Sequence, residues 1–169
     1  MKSEKTSPVA VVMGSDSDMS VMESCIETLK DFGIKPVVRI ISAHRTPAIA
    51  VDFAENASKN GVKVIIAAAG MAAHLAGALA AKTHLPVIGV PVAAKDGLNG
   101  MDALLSTVQM PPGVPVATMA IGKAGAKNAA ILAVQILALS DASMEQKLAD
   151  FKKDQENKVI EKDSALQKD

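Results

Sequence analysis

The chain has 169 residues with 18 basic side chains, 18 acidic side chains and three histidines, so its formal net charge is zero. That balance removes any global field that would draw in nucleic acid or an anionic membrane. One cysteine, Cys25, excludes an internal disulfide framework and is expected as a buried, inert thiol on a helix.

Residues 1–7 are short and polar, without the apolar core of a signal peptide. No apolar run approaches the ~20 residues of a membrane span. The expectation is a cytoplasmic protein of one domain, 1–169, with a flexible 1–7 and a C-terminal helix and tail over 141–169. Hydrophobic residues make up 49% of the chain although it has only three Phe and neither Trp nor Tyr. Few charges interrupt residues 62–139. An aliphatic chain of this kind is expected to hide part of its surface in a homo-oligomer.

Apolar runs bounded by Gly or Pro recur at 8–13, 36–41, 62–69, 86–92 and 114–121. They are continuous rather than alternating, which predicts strands buried on both faces. Helical patterns lie between them. Met19, Met22, Ile26 and Leu29 share a helical face that Gly33 can terminate. Thr46-Pro47 reads as an N-cap and first-turn proline, with Gly61 closing that helix. Residues 71–83 and 125–139 are Ala-rich and helix-favouring, and a charged helix starting after Asp141 places Met144, Leu148, Phe151 and Val159 on one side. The alternation predicts an α/β three-layer sandwich with a central parallel sheet and a C-terminal helix.

In such a sheet the strand-to-helix turns collect along one edge, where ligands bind. The first turn, Met13-Gly14-Ser15-Asp16-Ser17-Asp18, offers Ser15 to a phosphate or hydroxyl and Asp18 to ribose hydroxyls at a helix N-terminus. Helix capping by Ser17 or Asp18 explains the same residues equally simply. The dinucleotide fingerprint G-x-G-x-x-G is absent. The second turn places Ser42, His44 and Arg45 together: an auxiliary donor, an acid–base group and a planar fork for phosphate. The third, 68–77, has small residues whose backbone amides can line a pocket, with His74 at the start of a helix. His84 reads as a surface or capping residue. The fourth turn, 93–101, reads as a mobile flap or a simple surface loop. Together these turns suggest an enzyme acting on a phosphorylated, polyhydroxylated small molecule.

The motifs MGSDSD, SAHRTP, AAHLAG and LPVIGVPV, the run VQMPPGVPVATMAIG at 108–122 and AGAKNAAILA at 124–133 closely resemble the family of N5-carboxyaminoimidazole ribonucleotide mutases of purine biosynthesis. The resemblance spans roughly residues 8–139. It implies a flavodoxin-like sandwich, a homo-octamer with active sites where subunits meet, and a ribonucleotide substrate without ATP, metal or organic cofactor. It implies that Ser15 and Asp18 hold the ribose phosphate portion and that Ser42 and Arg45 add phosphate contacts. His44 would be the acid–base, with His74 near the imidazole and its carboxyl group. The backbone of Gly70, Met71 and Ala72 would complete that end of the pocket.

Some residues depart from the family pattern. Gly70-Met71 stands for Gly-Gly, and Leu75-Ala76-Gly77-Ala78 for Leu-Pro-Gly-Met. Ala94-Lys95-Asp96 replaces a more serine-rich stretch, and Ala103 stands where serine is common. A related branch carboxylates aminoimidazole ribonucleotide directly, and it tends to have Lys at the position of Arg45 and to lack the equivalent of His74. Arg45 and His74 therefore favour the mutase, while the third-turn changes keep direct carboxylation open. A non-catalytic nucleotide-sensing module of the same shape is the reading from another class.

Overall fold

The computed structural model describes residues 7–167. Five strands form one sheet: β1 (Val9–Met13), β2 (Val37–Ile40), β3 (Val64–Gly70), β4 (Val87–Val92) and β5 (Ala117–Thr118). Their order is β2-β1-β3-β4-β5, and every pairing is parallel. This is the flavodoxin-like order of a doubly wound sheet. The helices are α1 (Met19–Asp31), α2 (Pro47–Asn56), α3 (Leu75–Ala80), α4 (Met101–Val108), α5 (Lys123–Ala138) and α6 (Ala142–Leu166).

Every residue of β1 and β4 is buried, which requires cover on both faces of the sheet because successive side chains point opposite ways. On one face Ala10, Val12, Ile65 and Ala67 pack with Ala50, Ala54 and Ala57 of the α2 segment and with Leu75, Ala76 and Leu79 of α3. Small alanines let α2 lie close, so the core is dense without aromatics. α1 buries Met22, Cys25 and Leu29. Burial pushes the Cys25 thiol up to about 12, which makes it the inert core residue expected.

Gly33, at φ 83°, ends α1 as predicted: its N–H bonds Lys30 O at 2.8 Å, and Ile34 N–H bonds Leu29 O at 2.8 Å. This is a Schellman closure, needing a left-handed residue that glycine supplies cheaply. α2 ends at Asn56, earlier than Gly61, which instead closes a following turn through Ser58 O at 3.0 Å.

Three expectations need correction. β2 is an edge strand with Val38 and Ile40 exposed, not a strand buried on both faces, because it has β1 as its only neighbour in the sheet. The run 114–121 contributes a strand of only two residues, paired as Ile88↔Ala117 and Gly89↔Thr118. Pro111, Pro112 and Pro115 offer no ladder N–H in the approach to it. The Ala-rich run 71–83 is helical only over α3.

The chain divides into two compact units, Met1–Ala133 and Val134–Asp169. All five strands belong to the first. In the second, the Asp141 carboxylate accepts from Ser143 N at 2.9 Å and Met144 N at 3.4 Å, capping α6. Its bonds from the Ser143 hydroxyl and backbone hold Asp141 below the usual carboxylate range. Leu148 is buried, but Val159 is exposed, so the apolar side expected of α6 is covered only in its first part. The N-terminal segment expected to be flexible lies outside the described residues except for Ser7, which is buried and donates to Val9 O at 3.1 Å. Among the described residues no helix is long and apolar enough to cross a membrane.

Candidate active site

Parallel strands deliver all their carboxyl ends to one edge, and the central neighbours β1 and β3 form the point where the winding reverses. There the turns after β1, β2 and β3 converge on a cleft of about 460 Å³. Ser15, Asp18, Ser42, His44, Arg45, Gly70, Met71, Ala72 and His74 all line it. Gly14, Ser17 and Ala94 line it too, and sequence reasoning had not chosen them.

The first turn is a capping box formed by Ser15 and Asp18, not a cap by Ser17. Ser15 Oγ accepts from Ser17 N at 3.4 Å, and Asp18 Oδ2 accepts from Ser15 N at 3.1 Å. Ser15 Oγ also donates to Asp16 Oδ1 at 3.0 Å and accepts from Ser17 Oγ at 3.0 Å. Asp18 is only 6% exposed, and burial raises its pKa above the usual 3.8 despite backbone bonds from Ser15 and Gly14 that lower it. A raised folded-state pKa stabilises the fold below the unfolded value, and that stabilisation is lost as pH rises through the folded value. Asp18→Asn removes the titration while keeping an acceptor. The stability of the native chain relative to this variant is therefore expected to fall as pH rises, across the window that opens at the ordinary carboxylate value of 3.8. Urea denaturation across that window checks it; a difference that rises with pH would overturn it.

In the second turn Ser42 Oγ accepts from Arg45 N at 3.1 Å and from Arg45 Nε at 3.3 Å. Arg45 Nη2 donates to Gly14 O at 3.1 Å, tying this turn to the first. Its guanidinium is thus pre-set at the cleft with its charge uncompensated by any ion pair among the described residues. Thr46 precedes α2 as expected, but its side chain makes no cap bond. Its Oγ1 is taken up within the turn, accepting from Ser42 N at 3.0 Å and donating to Ser42 O at 2.9 Å.

In the third turn His74 is the N-cap residue of α3, anchored by buried Leu75, Ala76 and Leu79. His44 Nε2 and His74 Nδ1 lie 2.9 Å apart with the rings at 83°. One nitrogen donates and the other accepts, and the tautomers of the two rings decide which. Gly70 is tightly placed: a Cβ there would meet Val92 O at 3.0 Å, a backbone neighbour that would have to give by a few tenths of an ångström. Met71 sits at φ 53°, a left-handed conformation that disfavours any side chain, and is 52% exposed. Met71→Gly relieves that strain and Met71→Ala does not. The glycine variant is expected to be the more stable of the two by about 0.5–1 kcal/mol, after the entropic cost of glycine is offset. Paired denaturant melts measure this, and equal midpoints would count against it.

His84 is exposed and lies in a separate cleft with Leu85 and Pro86, away from these turns. Of the 93–101 loop only Ala94 lines the site. Among the described residues no group of three or more His, Cys, Asp or Glu is placed to hold a metal ion.

Residues 8–158 match the sequence model of the family described as AIR carboxylase. The chain belongs to the AIR carboxylase family. It is 53% identical over 152 residues to the N5-carboxyaminoimidazole ribonucleotide mutase of Saccharolobus solfataricus, covering 90% of this chain and 94% of that one. It is also 53% identical over 153 residues to the enzyme of the same name from Escherichia coli strain K12, covering 90% of each. Among solved structures, Treponema denticola PurE superposes with a TM-score of 0.84 at 32% identity, covering 94% of this chain and 97% of that one. The AIR carboxylase match takes in all three turns of the cleft.

Proposed function

We propose that this chain is an N5-carboxyaminoimidazole ribonucleotide mutase, converting that nucleotide to 4-carboxyaminoimidazole ribonucleotide in purine biosynthesis. The observation that supports this most is the His44–His74 pair, 2.9 Å apart, in the same cleft as Ser42 and Arg45. Arg45, Ser42 and Ser15 take the phosphate, Asp18 holds the first turn beside the ribose, and the backbone of Gly70, Met71 and Ala72 borders the imidazole. His44 donates its proton to the exocyclic nitrogen as the N–C bond to the carboxyl breaks and CO2 leaves. The ring carbon then attacks that CO2, and the proton it carried passes back to His44. The proton count closes, so neither ATP nor an organic cofactor is called for. His74 holds His44 in one orientation.

His44, His74 and Met71 are all exposed in the isolated chain, yet CO2 must be kept from escaping. Met101, Leu105 and Val108 also leave an apolar row of α4 exposed. Both facts favour a homo-oligomer whose neighbouring subunits cover the cleft; the family resemblance makes it an octamer, and the cytoplasm is its proposed setting. Direct carboxylation of aminoimidazole ribonucleotide is the second reading, favoured by the strained Met71 at the third turn. Purified protein given the N-carboxylated nucleotide, or aminoimidazole ribonucleotide with low bicarbonate, separates the two. Efficient turnover of only the second pair would replace the mutase reading, and turnover of neither would favour a binding module. Light scattering tests the assembly, and a monomer would contradict it.

A further inference from the structure

A second cleft, of about 630 Å³, lies at the opposite end of the strands from the catalytic turns. It is lined by Ser7 before β1, Lys35 and Pro36 before β2 and Val62 before β3, with Arg39 from within β2 and Phe53 from α2. The two clefts share no lining residue. Three cations line it, namely Lys35, Arg39 and Lys59, and no acidic residue is among its lining. This is a concentrated charge in a chain whose net charge is zero.

The cations differ in how they are held. Arg39 stands over the Phe53 ring, its guanidinium carbon 6.0 Å from the ring centre. Phe53 is half-buried and packs against the core, so it is a fixed platform and Arg39 is pre-set over the cleft. Lys59 Nζ donates to Asn56 Oδ1 at 3.4 Å, a neutral partner that leaves its charge uncompensated. Among the described residues none of the three cations is in an ion pair. Asn60 and Ser7 add polar lining. A planar guanidinium flanked by two ammonium groups in a concave site matches an anion with several oxygens and more than one charge.

We infer that this cleft binds a small molecule bearing two or more phosphoryl groups, at a site distinct from the catalytic one. Three cations in one concave cleft match a compact anion better than the extended backbone of a nucleic acid. Since the cleft borders the amino ends of β1, β2 and β3, an occupant would brace the same strands whose other ends carry Ser15, Ser42 and Gly70.

Inorganic pyrophosphate titrated into the full chain by calorimetry is the test. The Arg45→Ala variant is used to suppress phosphate binding at the catalytic turns. That variant is expected to bind one pyrophosphate per chain, more weakly as salt rises. Adding Arg39→Ala and Lys59→Ala is expected to weaken the binding by roughly tenfold or more, since each removes a charged hydrogen-bonding partner. Both side chains are exposed, and an unchanged melting midpoint checks that the fold persists. Absence of binding in Arg45→Ala, or binding unaltered by the added substitutions, would overturn the assignment. Neither result would bear on the mutase reading, which is tested by turnover.

Discussion

His44→Asn lowers mutase turnover by roughly 10²- to 10⁴-fold, the range supplied by a positioned acid–base group. Asparagine keeps a hydrogen-bonding group near His74 but cannot carry the proton between nitrogen and ring carbon. Nucleotide binding is expected to stay within about threefold of the native value, because Ser15, Ser42 and Arg45 are untouched. Single-turnover kinetics with the N-carboxylated nucleotide, alongside calorimetric titration of the product, read the two effects separately. Turnover within a few-fold of native would remove His44 from the chemistry. Loss of binding in parallel with turnover would instead make it a binding residue. His74→Asn provides the comparison: it breaks the 2.9 Å contact while leaving the proton carrier in place. Its turnover should therefore fall less than that of His44→Asn, which loses the proton carrier itself.

Gly125→Ala destabilises the chain by about 3 kcal/mol, at the upper end of the cost of overpacking. Helix propensity alone predicts the reverse, since alanine is favoured over glycine inside a helix by about 1 kcal/mol. The structure decides the sign. A Cβ on Gly125 would be driven into the Ala120 carbonyl oxygen, with Ala120 C only 2.6 Å away. That neighbour is backbone, so α5 or the 119–122 loop must move. The loop is itself held by Gly122 N–H to Pro91 O at 2.9 Å, at the end of β4. The expected fall in melting temperature is roughly 6–12 °C for a chain of this size, at fixed protein concentration. An unchanged or raised midpoint would show that the loop yields freely.

The candidate site was legible to an unusual degree, for a reason of residue type and position. Ser15, Ser42, Arg45 and both histidines each follow a run of apolar residues, and only a parallel sheet brings such turns to one edge. What could not be read was how the groups engage one another. His44 and His74 are 30 residues apart, and nothing local marks their contact. Asp18 looked like a ribose ligand or a plain cap; its burial and its bond from Ser15 N make it part of the turn's own framework. Met71 was visible as an odd residue, but its left-handed backbone was not.

By itself, the sequence determined the class of fold, the parallel sheet, the turns that line the candidate site and the inert place of Cys25. Hydrophobic runs, glycine closures and turn residues act over a few positions and are written locally. Only the tertiary structure decided that β2 is an exposed edge, that β5 shrinks to two residues and that Arg45 reaches back to Gly14. It also decided that Gly125 admits no side chain, and that Lys35, Arg39 and Lys59 share a cleft. Each of these depends on which distant segments become neighbours, and that is set by strand order and close packing across the sheet.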